Sequence, residues 1–177
     1  MPMNPTTLAT ELKNIVATNN EADITEAWAE AYTKYMLESD VLGIAPASAS
    51  VFATAKAAMK TAMVGISGPN TAIQAAQLII AAIKAYWATT LPLASTIWLT
   101  APLLVPAPFT MPIILLSPST ELSSALSLSS VFLANTSGSL SKNDCYSAIV
   151  SVLHPVGAGA TVTQAVVPTP VPGIPIL

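Results

Sequence analysis

The chain has 177 residues, 53% of them hydrophobic and only 8% charged, with a formal net charge of −3. This length suffices for one domain with its own core, and a second full domain is not expected. All six basic residues are lysine, which disfavours specific nucleic-acid binding because arginine is the preferred reader of bases and phosphates. Typical soluble domains are about 25% charged, so we expect neighbouring subunits or a bilayer to cover much of this surface.

Two helices are predicted near the N-terminus from apolar residues at helical spacing. The first covers Thr7 to Asn19. The second begins at Asp23, whose carboxylate can cap it while Glu26 reaches back. Its predicted buried stripe consists of Ile24, Ala27, Trp28, Ala31, Tyr32, Tyr35 and Met36.

A third and a fourth helix are predicted on either side of the sequence Gly65-Ile66-Ser67-Gly68. Those four residues superficially resemble a phosphate or nucleophile loop but lack its remaining residues, so they indicate a turn between helices. The third helix is capped by a serine at position 48 or 50 and buries Val51, Phe52, Ala55, Ala58, Met59, Ala62 and Met63. The fourth opens at Asn70 or Thr71 and places Ile73, Gln77, Ile80, Ile83 and Trp87 on one side.

No charged residue lies between Lys84 and Glu121, and six prolines interrupt this stretch, beginning with Pro92. Prolines disfavour a continuous helix, so we expect extended chain buried against protein. The β-branched and aromatic residues predict two strands, Ser95–Thr100 and Phe109–Leu116, and the prolines restrict both to sheet edges.

Two more helices and a β-prone segment are predicted after this stretch. Ser117-Pro118 opens the fifth helix, which is lined by Leu122, Ala125, Leu126, Ser129, Phe132 and Leu133. The sixth runs from Ser141 to Leu153 and must stop before Pro155. Residues Thr161 to Val167 are β-prone.

The predicted fold class is mainly α with a minor β part (α+β). It comprises a compact unit of about five to six helices with proline-interrupted edge strands. Residues 1–167 form one domain, and residues 168–177 form an extended, proline-rich arm. Prolines limit the backbone freedom that docking removes, so this arm is suited to bind a neighbour.

The candidate chemical residues do not form a recognisable catalytic or metal site. Cys145 and His154 lie nine positions apart on one helix, which places them on opposite sides of its axis. Glu26 and Glu30, one turn apart, could bind a cation or act as an acid/base pair, but a solvated helix face is the more ordinary role. We therefore expect no enzymatic activity, cofactor, metal or small-molecule substrate.

Aromatic and proline residues are the candidate contacts with other subunits. The stripe of Trp28, Tyr32 and Tyr35 is typical of a helix core or a subunit contact. The full predicted contact set is Trp28, Tyr32, Tyr35, Trp98, Phe109, Pro168, Pro170, Pro172, Ile174, Pro175, Ile176 and Leu177.

The layout of the second half of the chain resembles small virion structural proteins of tailed bacteriophages. The likeness rests on the alanine-rich helix ending at residues 81–87, the helix end Val131–Ala134, the helix Ser141–Leu153 and the β-prone segment Thr161–Val167. It implies a non-enzymatic subunit of the neck, tail or baseplate, whose partners are copies of itself and other structural proteins.

The N-terminus lacks the basic and apolar regions of a signal peptide. We therefore expect synthesis in the host cytoplasm and a final location in the virion. The alternative is a small oligomeric protein that associates with or penetrates a membrane, which the apolar composition favours and the prolines disfavour.

Overall fold

The computed structural model describes residues 4–15, 20–38, 49–68, 71–100, 118–158, 161–165 and 170–175. Within these ranges the chain forms six helices and one pair of strands. The helices are α1 (Pro5–Lys13), α2 (Glu21–Met36), α3 (Ala49–Ala62), α4 (Ala72–Thr100), α5 (Pro118–Thr136) and α6 (Lys142–Ala158). The strands are β1 (Thr161–Ala165) and β2 (Pro170–Pro175).

The helices form a closed cycle of contacts. Each helix packs against the next one in the chain, and α6 packs against α1. The core enclosed by this cycle receives side chains from every helix. Its fully buried members include Leu8, Leu12, Tyr32, Tyr35, Met36, Phe52, Met59, Met63, Ile83, Tyr86, Trp87, Leu128 and Leu153.

The boundary between α1 and α2 differs from the prediction. Helix α1 ends at Lys13, and α2 begins at Glu21, two positions before the predicted start at Asp23. Asn20 caps α2, and its side-chain oxygen accepts a hydrogen bond from the Ala22 N–H at 3.1 Å. Asparagine and aspartate are comparable caps, so the earlier residue extends the helix by a further half turn.

The predicted core of α3 is confirmed at four positions, whereas that of α4 is only partly confirmed. Phe52, Ala55, Met59 and Met63 are buried, and so are Ile80, Ile83 and Trp87 of α4. Gln77, predicted on the same side of α4 as these residues, is exposed. Ala76 and Ile79 lie in the core, so the buried side of α4 includes no amide side chain at this level.

Helix α4 continues through Pro92 to Thr100, so the predicted strand Ser95–Thr100 is wrong, and, contrary to expectation, Pro92 does not interrupt the helix. An internal proline removes one backbone hydrogen bond and costs about 3 kcal/mol, which tertiary packing of the preceding turns can offset. β-branched residues cost a helix less than about 1 kcal/mol each. The second predicted strand, Phe109–Leu116, lies outside the described residues.

Helix α6 has the predicted cap but not the predicted end. The Ser141 hydroxyl accepts a hydrogen bond from the Asp144 N–H at 3.2 Å and donates one to the Asp144 carboxylate at 2.6 Å. The helix then passes through Pro155 to Ala158. Ser151, whose carbonyl loses its helical partner at Pro155, is exposed, and water can satisfy that carbonyl.

The mainly helical class is confirmed, but the minor β part of the predicted domain is not supported. No strand occurs in the described residues of the helical cycle, and β1 and β2 pair only with each other, antiparallel. β2 lies in the segment predicted to be an extended arm. The pairing of β1 with β2 links the predicted domain, which ends at residue 167, to the predicted arm, which begins at residue 168. The division into a domain and an arm stays a prediction.

Candidate functional site

Two of the three stripe aromatics lie inside the molecule. Tyr32 is 1% exposed and Tyr35 is fully buried, whereas Trp28 is half-buried and packs against the core. The assignment of Tyr32 and Tyr35 to a subunit contact is therefore corrected, because their side chains already fill their own core. The core interpretation of the stripe is confirmed at these two positions.

Polar groups in this interior are bonded to one another. The Trp87 indole N–H donates to the Tyr32 hydroxyl at 2.8 Å. The Tyr86 hydroxyl donates to Thr33 Oγ1 at 3.2 Å, and that hydroxyl donates to the Ala29 carbonyl at 2.7 Å. Burial raises the pKa values of both tyrosines well above the ordinary tyrosine range. Both therefore stay neutral and serve as structural links between α2 and α4.

His154 joins α6 to α2 rather than forming a pair with Cys145. A 2.7 Å hydrogen bond connects His154 Nδ1 and the Tyr35 hydroxyl, and the two rings lie edge to face with centroids 6.1 Å apart. Cys145 is buried, and burial raises the pKa of its thiol. A raised pKa keeps the sulfur in its unreactive thiol form, as befits a core residue.

The paired carboxylates of α2 form ion pairs with α3. Lys56 contacts both Glu26 and Glu30, and Lys60 contacts Glu26. The Lys56 and Lys60 ammonium groups hold the pKa of Glu26 below its usual value. The two lysines provide the counter-charges on a partly exposed face, so these carboxylates hold α2 against α3.

The turn Gly65–Gly68 is a helix connection, as predicted, and the chain's own carboxylate binds it. Glu21 accepts hydrogen bonds from the Gly65 N–H at 3.0 Å and the Ser67 hydroxyl at 2.8 Å. These bonds lower the Glu21 pKa, the Gly65 N–H having the largest effect. Gly65 adopts φ 90°, which glycine tolerates best. Glu21 therefore occupies the position at which an external anion would bind.

The most unusual surface is on α5, where only part of the predicted lining is buried. Leu122, Leu126 and Leu133, predicted to line this helix, are 55%, 54% and 59% exposed. The buried residues of α5 are Ala125, Leu128 and Ser129. Leucines lie on two faces of this helix, which is more than one core-facing stripe requires. The spread of leucines around the helix was the signal in the sequence for a second apolar face.

A groove between α4 and α5 lies beside these leucines. It has a volume of about 570 Å³ and is lined by Gln77, Ile80, Ala81, Lys84, Ala85, Ala88, Glu121, Leu122 and Ala125. Lys84 Nζ lies 2.5 Å from Glu121 Oε1 across it. Its walls are thus mainly apolar, and its two charged groups neutralise each other.

Only some of the remaining predicted contact residues lie within the described part of the chain. Trp98 lies within α4, and Pro170, Pro172, Ile174 and Pro175 lie in β2. Phe109, Pro168, Ile176 and Leu177 lie outside the described residues. Their role as subunit contacts stays a prediction.

The described part of the chain offers neither a metal site nor a membrane-spanning helix. The described ranges contain no cluster of three or more histidine, cysteine, aspartate or glutamate side chains that could hold a metal. Within the same part of the chain, no helix combines the length and apolarity needed to cross a bilayer. No protein-family model, curated protein or solved structure matches the chain.

Proposed function

We propose that the protein is a non-enzymatic structural subunit of a large assembly, in which it contacts copies of itself and other structural proteins. The observation that carries this proposal is the row of exposed leucines on α5, at positions 122, 126 and 133. Soluble monomers rarely expose large contiguous apolar patches, and such patches mark interaction sites. An assembly partner would remove these leucines from water.

The distribution of charge supports the same function. Only 8% of residues are charged, and four of the six lysines contact carboxylates of the same chain: Lys34, Lys56, Lys60 and Lys84. These charges are used to hold helices together. So few charged residues leave much of the surface uncharged, which is tolerable for a subunit covered by neighbours.

The polar interior supports a structural rather than a catalytic role. Tyr32, Tyr35 and Tyr86 each have a hydrogen-bond partner in the core or at its edge. Groups that hold one another in place stabilise a fold. A catalytic group would instead need access to a substrate.

A finer proposal is that the assembly is a tailed-phage virion, with this subunit in the neck, tail or baseplate. It rests on the resemblance of layout carried by residues 81–87, Val131–Ala134, Ser141–Leu153 and Thr161–Val167.

The mass of the purified protein in detergent-free buffer tests the proposed function, with light scattering coupled to size exclusion as the measurement. We expect a discrete species several times heavier than the 18.2 kDa chain. A monomer at every concentration would overturn the proposal. Recovery only in detergent would also overturn it and favour a membrane-associated oligomer.

A further inference from the structure

The three exposed leucines of α5, which we call the leucine ridge, lie on one side of the helix, with the buried Ser129 between Leu126 and Leu133. Successive helix residues are rotated by about 100°, so positions 122, 126 and 133 fall within about 40° of one another around the axis. Leu122 also lines the groove between α4 and α5. Ridge and groove are therefore neighbours on a single face of the molecule.

The groove is shaped to accept such a ridge. Its α4 wall carries Ala81, Ala85 and Ala88, and Ile80 and Ala125 also line it. Small side chains along one helix leave a channel in which larger side chains of another helix can pack. From Gln77 to Ala88 the groove is about 16 Å long, the same as the leucine ridge, at a rise of about 1.5 Å per residue.

We propose that this α4–α5 face pairs with the same face of a second copy around a two-fold axis, each leucine ridge packing in the alanine groove of the other. This inference rests on the proposed function and specifies one of its contacts. A face that carries both a ridge and a matching groove is self-complementary, which is the requirement for a two-fold contact between identical subunits.

Charge also favours a second copy over other partners. Glu121 is the single charged residue in the sequence of α5, and Lys84 neutralises it within the same chain. Two such faces can meet without repulsion. A charged peptide would find no opposite charge to pair with. A helix that lies on lipid is typically rich in lysine or arginine beside its apolar face. Helix α5 has neither residue, and the lysine that lines the groove, Lys84, is paired with Glu121.

The small area of the α4–α5 face indicates a dimer contact that dissociates when the protein is diluted. Two helices about 10 Å wide and 16 Å long present roughly 320 Å², below the roughly 800 Å² that each partner buries in a standard interface. The pair is therefore one of several contacts in the assembly, and it must be measured over a range of concentrations.

Leu126→Glu tests the contact, and Val64→Glu is its matched control. Both residues are exposed, at 54% and 66%, but Val64 lies in the turn after α3 and does not line the groove. We expect Leu126→Glu to weaken self-association on the order of tenfold or more, because pairing would bury an unpartnered charge. Val64→Glu should leave the association unchanged. Sedimentation over a concentration series gives the dissociation constant of each variant, and circular dichroism verifies that both variants fold.

Cross-linking locates the contact independently. A mixture of the Leu126→Cys and Ala81→Cys chains should form disulfide-linked dimers, whereas a mixture of Val64→Cys and Ala81→Cys should not. Wild-type multimers with neither a Leu126→Glu effect nor the cross-link would overturn this inference and leave the proposed function standing. A wild-type monomer at every concentration would overturn the proposed function itself.

Discussion

The aromatic interior and the α4–α5 face use large apolar side chains in opposite ways. Between α2 and α4, Tyr32, Tyr86 and Trp87 are covered, and their polar atoms are bonded to groups of the core. On α5, three leucines of comparable hydrophobicity lie in water. The interior covers its own large side chains, whereas the face leaves its leucines exposed. Stability and assembly should therefore respond to different substitutions.

The contrast is sharpest within α5 itself. Leu128 is fully buried, and Leu126, two positions earlier, is 54% exposed. Two positions rotate a helix by about 200°, enough to carry one leucine into the core and its neighbour to the surface. One residue type thus has two functions in one helix.

The largest expected effect is that of Trp87→Ala. This substitution removes a side chain that is 2% exposed and leaves the Tyr32 hydroxyl without its donor. We expect the free energy of unfolding to fall by about 3–5 kcal/mol, measured by urea denaturation. Trp28→Ala removes the same side chain from a half-buried position and should cost clearly less. Equal losses would contradict the contrast between interior and periphery.

Two leucine substitutions compare a buried position and an exposed position within α5. Leu128→Ala opens a cavity in the core and should lower the free energy of unfolding by about 2–5 kcal/mol. Leu126→Ala should change it by less than about 0.5 kcal/mol if the measurement is made at concentrations where the chain is monomeric. Chemical denaturation of both variants gives the comparison. A large loss for Leu126→Ala would mean that its surface is covered within the chain.

Local signals predicted the elements that depend on local chemistry. Helix α5 begins at Pro118 and α6 is capped by Ser141, because proline at a first turn and serine at a cap act through adjacent backbone groups. The period of α3 correctly identified Phe52 and Met59 as core residues. Each of these predictions needed only a few neighbouring residues.

The wrong sequence-based predictions concern features that depend on contacts between distant parts of the chain. Helix α4 continues through Pro92 because packing of the earlier turns outweighs the loss of one hydrogen bond. Helix α5 carries leucines on two faces, so its sequence period alone does not identify which leucines are buried. Tyr35 and His154 lie 119 positions apart, and no local pattern links them.

An intermediate effect is expected from removing one hydroxyl of the interior. Tyr32→Phe leaves the buried Trp87 indole N–H without its acceptor, which should cost about 1–3 kcal/mol. Tyr146→Phe removes the same atom from a half-buried residue of α6 and should cost less. Urea denaturation of the two variants measures the difference. If Tyr32→Phe were neutral, the Trp87–Tyr32 bond would not contribute to the stability of the interior.

Counted per tyrosine, the smallest expected loss in the free energy of unfolding is the one caused by alkaline pH. Burial raises the pKa values of Tyr32, Tyr35 and Tyr86 above the ordinary value of 10.0. Below pH 10 both the folded and the unfolded chain keep these protons, and the stabilisation is complete. Above it, the unfolded chain releases protons that the folded chain retains, so the free energy of unfolding falls by at most about 1.4 kcal/mol per tyrosine per pH unit.

Denaturant midpoints across about pH 9 to 11 should therefore decline. In the Tyr146→Phe chain, which keeps only the three buried tyrosines, tyrosinate absorbance should appear together with unfolding. The decline should be shallower in Tyr35→Phe, which has one buried phenol fewer. The exposed leucines do not titrate, so Leu126→Ala should follow the wild-type pH dependence. Tyrosinate absorbance in the folded Tyr146→Phe chain, whose three remaining tyrosines are buried, would show that water reaches the interior, and the contrast with the α4–α5 face would then fail.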